Sequence, residues 1–129
     1  MSSTSDNRRG LIKTAYEMSR NYEEPLTTTL IEGLTQIPGI SIYGITNSNR
    51  VKDRVPTVSF RHKITKPSKI AHALAKKSIH IWHGHNYAFE SARALNLPID
   101  EGVVRIGLAH YNTLDEVQKI VTEVHKAVK

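Results

Sequence analysis

One arginine set inside an apolar run is the residue of this chain that most directly asks for chemistry. Val103-Val104-Arg105-Ile106-Gly107-Leu108 reads as a strand, and the polar turn through Tyr111-Asn112-Thr113 reads as a helix start. A guanidinium carried in a core-forming strand loses hydration and is stable there only if it meets an anion. That anion is either an acid of the same chain, with Glu90, Asp100 and Glu101 nearest in sequence, or a ligand carboxylate held by two parallel hydrogen bonds. Guanidinium geometry suits such a fork and ammonium does not. Residue types alone leave both partners open.

Three of the seven histidines crowd into Ile79-His80-Ile81-Trp82-His83-Gly84-His85-Asn86-Tyr87. Zinc would need a third or fourth ligand, yet the chain has no cysteine and Glu90 is the carboxylate nearby. On a strand, His80 and Trp82 face away from Ile81 and His83, so the imidazoles do not converge. No metal site is expected. His83 and His85 are expected to line a cleft, His80 to be solvated, and Trp82 to be a core or rim aromatic. No nucleophile with its base can be assembled and no glycine-rich phosphate loop is present, so no catalytic residue is assigned.

The elements that position these residues follow from periodicity. Met1 to about Gly10 reads as a polar, disordered lead-in, and residues 11–129 as one domain. Two helical segments are expected, about Arg9–Asn21 and Glu23–Gln36, divided at Pro25 and stopped by Pro38-Gly39. Ile40–Tyr43 and Val55–Arg61 alternate as strands across an Asn- and Ser-rich loop. Pro67 opens a helix with Ile70, Ala71, Leu74 and Ala75 as its stripe, and Ile79–Trp82 forms a strand. Gly84–Leu97 is a loop with a helical turn or two around Ala88–Ala94. After the Arg105 strand, Thr113 and Glu116 form a capping box, and Leu114, Val117, Ile120, Val121, Val124 and Val128 make one face of a last helix. The order α-α-β-β-α-β-β-α gives an α+β, two-layer domain, a small mainly antiparallel sheet with helices on one face.

Composition bounds the function. A chain of 129 residues, 39% hydrophobic and 23% charged, has room for one ordinary globular core. No stretch reaches the roughly 18 apolar residues of a membrane span, and no leader opens the chain, so a soluble, cytoplasmic protein without membrane contact is expected. The absence of cysteine removes disulfides and thiolate chemistry. The net charge of +6 raises the question of nucleic acid, but the basic residues are scattered and not interleaved with aromatics, so no nucleic-acid partner is expected.

Laid end to end, these segments resemble a known family. Tyr22-Glu23, Pro38-Gly39-Ile40, Tyr43-Gly44, Arg54-Val55-Pro56-Thr57-Val58-Ser59-Phe60, the Ile79–Ala88 loop, Val103–Leu108 and His110-Tyr111-Asn112-Thr113 are similar to the C-terminal small domain of class V aminotransferase-like enzymes. These are fold-type I pyridoxal-phosphate enzymes that include cysteine desulfurases. The likeness covers about Leu11 to Val128, and its most specific part is Arg105 upstream of Tyr111-Asn112-Thr113.

The resemblance implies that Arg105 binds the α-carboxylate of an amino-acid-like substrate, and that His83, His85, Asn86 and Tyr87 form the loop overhanging the cofactor. Tyr87 stands where desulfurases carry their persulfide cysteine, which excludes that chemistry here. The Schiff-base lysine, the aspartate under the pyridine nitrogen and the phosphate groups belong to the family's large domain. The chain alone is therefore expected neither to hold pyridoxal phosphate nor to turn over substrate. Its implied partners are a cofactor-binding large domain, in the same gene or on a separate chain, and a second copy in a homodimer or larger homo-oligomer. The alternative is a free-standing interaction module that kept the fold and lost catalysis, with Leu11, Ile12, Tyr16, Leu26 and Leu30 as its sticky surface.

Overall fold

The computed structural model describes residues 4–129, with side chains from Asn7 onward. Met1 to Ser3 of the expected lead-in lie outside the described residues. From Thr4 the chain is already helical: α1 runs Thr4–Thr35 as one 32-residue helix with Pro25 inside it, and this corrects the expected division into two segments. Proline removes one backbone N–H, which orphans the carbonyl four residues earlier. Asn21 and Pro25 are both exposed, so that carbonyl is open to solvent and the helix continues. The Thr27, Thr28 and Thr29 hydroxyls then donate back to the Glu23, Glu24 and Pro25 carbonyls at 2.8, 2.9 and 3.0 Å, tying the turns around the proline.

β1 (Ile40–Tyr43), β2 (Thr57–His62), α2 (Pro67–Ala75), β3 (Trp82–Gly84), α3 (Phe89–Ala94), β4 (Val103–Gly107) and α4 (Leu114–Val128) follow. The loop between β1 and β2 contains a 3-10 turn, Ser48–Asp53, that buries Val51 and that composition did not reveal. The four strands form one antiparallel sheet in the order β1-β2-β4-β3. The α+β architecture expected from the sequence is the one observed.

Alternation along β2 and β4 sorts residues between the faces. Val58, Phe60, Val104 and Ile106 point to the helical side, where they are buried with Leu30 and Leu34 of α1, Ile70 and Leu74 of α2, and Val117 and Val124 of α4. Leu26 and Leu30, expected in a sticky patch, are core residues of this layer. Thr113 accepts from the Glu116 amide at 3.2 Å while Glu116 accepts from the Thr113 amide at 2.9 Å, so the predicted capping box starts α4. The opposite face of the sheet carries Tyr43, Ser59 and Arg105, and short α3 stands over its rim.

Candidate functional site

Register brings the open face together. Tyr43 pairs with Ser59, Ser59 with Arg105, and Arg105 with Trp82, so one row of neighbours crosses all four strands. Directly opposed residues sit about 4.5–5.5 Å apart at their β-carbons, so Arg105 shares its floor with Ser59 on one side and Trp82 on the other. Tyr43 and Ser59 were not legible as site residues, because nothing local in the sequence states which strands are neighbours.

Two adjoining clefts open from this floor. The first, about 390 Å³, lies between the sheet and α3 and is walled by Ala88, Ser91, Ala92, Leu95, Leu97 and Val103 above Tyr43, Ser59 and Arg105. The second, about 420 Å³, is bordered by Trp82, His83, Gly84, His85, Asn86, Tyr87 and Arg105. Gly84, His85, Asn86 and Arg105 line both. All five residues singled out in the sequence thus border the second cleft.

His83 differs from the others in direction. β3 begins at Trp82 instead of ending there, and its register sets His83 against Val104, on the helical side of the sheet. Its ring lies 6.1 Å from that of His72 on α2. His83 therefore borders the cleft at an edge strand while its imidazole turns toward α2. His80 lies elsewhere, beside Ile106 and Lys119 near α4. Among the described residues, no three metal-ligating side chains come together.

Arg105 is half-buried, and its guanidinium makes no ion pair or hydrogen bond with any described residue. None of its three nearby acids in sequence pairs with it. Glu101 accepts from Arg61 at 2.7 Å and Lys66 at 2.9 Å. Glu90 pairs with Arg93 at 2.7 Å, and Asp100 forms no ion pair with a described residue. The hydrogen bond from Lys66, then that from Arg61, holds the Glu101 carboxyl below its ordinary range. A guanidinium with open donors facing a cleft keeps its full capacity for an anion from outside.

The loop above Arg105 is shaped by backbone conformation. Gly84 has φ 109°, and Asn86 and Tyr87 have φ 51° and 60°, two successive left-handed residues that are not glycine. Such conformations cost of order 1–3 kcal/mol each and persist only where surrounding contacts fix them. Asn86 Nδ2 donates to the Gly84 carbonyl at 3.0 Å, and His85 Nδ1 accepts from the Tyr87 amide at 3.0 Å. The His85 ring stacks on Phe89 with centroids 4.1 Å apart. With Nδ1 occupied as an acceptor, the neutral ring carries its proton on Nε2. The loop thereby offers one imidazole N–H donor and leaves the Tyr87 side chain 93% exposed.

Beneath the loop, Gly102 (φ 59°) bridges Gly84, and Arg61 fastens the Gly102 turn by donating to the Gly102 carbonyl and to Glu101. These positioning contacts lie far apart in sequence, so nothing local in the chain announced them.

Comparison with known proteins agrees with this geometry. Residues 10–120 match the aminotransferase class-V family. The aminotransferase-like protein FGM3 of Gibberella zeae is 34% identical over 110 residues, which is 84% of this chain and 27% of that protein. The apo cysteine desulfurase of Thermococcus onnurineus NA1 is similar with a TM-score of 0.79 at 26% identity, over 93% of this chain and 28% of that one. The Escherichia coli cysteine desulfurase CsdA shares the fold with a TM-score of 0.71 at 22% identity, over 84% of this chain and 25% of that one. The chain spans about a quarter of the length of these relatives. The four-stranded sheet, the overhanging loop and the match across nearly all of its residues place this chain in the aminotransferase class-V family.

Proposed function

We propose that the chain acts as the small C-terminal part of a class V aminotransferase or desulfurase-like enzyme, with Arg105 gripping the α-carboxylate of an amino-acid-like substrate. The observation that carries this reading is the guanidinium without an internal acid at the floor of two clefts. Arg105 would hold the carboxylate through two parallel N–H donors and so fix which face of the substrate points outward. Asn86 and the His85 Nε2–H, held by the loop's own hydrogen bonds, would cover that group and displace water from it. Tyr87 would flank the reacting end, where the absence of cysteine excludes a persulfide.

The family implies pyridoxal phosphate for a complete enzyme, but the residues of these clefts do not fit that group. No lysine and no carboxylate lines either one, so they supply neither the imine-forming amine nor the acid for the ring nitrogen. The cofactor would therefore be held by a large domain, on the same polypeptide or a separate one, facing the open side of the sheet. Mixing the chain with pyridoxal phosphate, alone and with such a partner, and following the Schiff-base absorbance tests this division. Truncating Arg105 to Ala should then weaken substrate binding by about 2–5 kcal/mol, and Arg105→Lys should restore only part of it. Holoenzyme whose substrate affinity ignores both changes overturns the reading.

A second reading, an interaction module that pairs with its own copy, is favoured by one observation. Leu11, Ile12 and Tyr16 project from α1 with exposures of 65%, 48% and 74%. A homodimer would cover them. In the first reading, the same residues would rest on the large domain.

A further inference from the structure

We propose that the cleft between α3 and the open face of the sheet is a side-chain pocket, selecting small monocarboxylates that carry a bulky apolar group of branched aliphatic or aromatic size. The proposal rests on the reading of Arg105 as a carboxylate fork and adds what lies beyond the carboxylate.

Arg105 is the one ionised side chain lining this cleft among the described residues. The next guanidinium on the same face, Arg61, is spent on Glu101 and the Gly102 carbonyl. A ligand with one carboxylate is therefore matched. A second carboxylate would be stripped of water with no cation to receive it.

Shape and surface give the rest. Beyond the arginine the walls are Ala92, Leu95, Leu97 and Val103, with Tyr43 at the far end of the row. Leu95, which caps the end of α3, lines the cleft and remains 51% exposed, so it has apolar surface to offer a ligand there. A volume of about 390 Å³ falls within the range of ligand pockets, of order 300–1,000 Å³. A methyl-sized side chain would leave most of it to water. Each additional buried methylene strengthens binding about fourfold, so an isobutyl or benzyl group should be favoured over methyl by roughly tenfold or more.

The test uses the full chain in solution, with acetate, 4-methylpentanoate, 3-phenylpropanoate and succinate as probes, followed by amide and guanidinium NMR shifts. The two apolar acids should bind at least about tenfold more tightly than acetate and shift Ala92, Leu95 and Val103 together with Arg105. Succinate should do no better than acetate. Leu95→Asn, at a half-exposed position, should cut the preference for the two apolar acids over acetate several-fold. Equal binding of all monocarboxylates at Arg105, or a preference that survives in Leu95→Asn, overturns this proposal and leaves the carboxylate fork standing. Failure of every acid to move Arg105 overturns both.

Discussion

Gly84 and Gly102 meet across a parallel bridge so closely that a β-carbon on Gly102 would overlap the Gly84 carbonyl and the His85 amide. The loop over Arg105 is therefore seated on bare backbone. Gly102→Ala adds a methyl where no atom fits and asks an L-residue to hold φ 59°. The left-handed conformation alone costs roughly 1–2 kcal/mol, and the overlap adds to it. Urea unfolding should show a loss greater than that, and the amide shifts of His85, Asn86 and Tyr87 should move most. Unchanged loop shifts would remove the bridge from any role in seating the site.

Acid should act through Glu101. Hydrogen bonds from Lys66 and then Arg61 lower its carboxyl below the ordinary value of 4.5 in the folded chain. A depressed acid stabilises fully above its unfolded value, and the contribution is lost as pH falls through the folded one. Thermal melts should therefore separate the parent chain from Glu101→Gln most at neutral pH. The gap should close as pH falls through and below the ordinary carboxylate range. A gap independent of pH would mean that shape, and not charge, makes the residue matter.

The start of α4 offers a cleaner measurement, since Thr113 is exposed and its hydroxyl has one cap contact, with the Glu116 amide. Thr113→Ala should lower stability by about 1 kcal/mol, readable as a shifted urea midpoint with an unchanged slope. A loss of several kcal/mol would point to a disrupted Asn112 turn instead.

The projecting part of α1 should be the sticky surface. Replacing Leu11, Ile12 and Tyr16 together by Gln, Lys and Gln touches no core contact. Folding stability should stay within about 0.5 kcal/mol for each change, while concentration-dependent association in sedimentation experiments should disappear. A parent chain that stays monomeric at every concentration argues against self-pairing through this helix.

How much of this was legible beforehand differs by element. β1, β4 and α4 announce themselves, because two-residue alternation, a short apolar run and a capping box are each local signals. α1 misled, because a proline is a strong breaker only where its lost hydrogen bond cannot be taken by water, and solvent exposure at Pro25 is a tertiary fact. β3 sits further along than its apolar residues suggest, because pairing with Val103 and Val104 captures Gly84 and His83. That shift turns the His83 imidazole toward α2. In the site, Arg105 stood out as the lone charge in an apolar strand. Ser59, Tyr43, Leu95 and Leu97 did not, since their place depends on strand order and on where α3 comes to rest.

The long first helix has a mechanical consequence. Tyr22, just inward of its midpoint, donates from its phenol to the Asn112 carbonyl at 2.9 Å, and Asn112 in turn accepts from the Ala109 amide at 2.9 Å, just past the arginine's strand. Whatever clasps the outer turns of that helix thereby takes hold of a lever whose fulcrum adjoins Arg105. Leverage of this kind would let a docked body set the angle at which the guanidinium is presented, without touching the cleft itself.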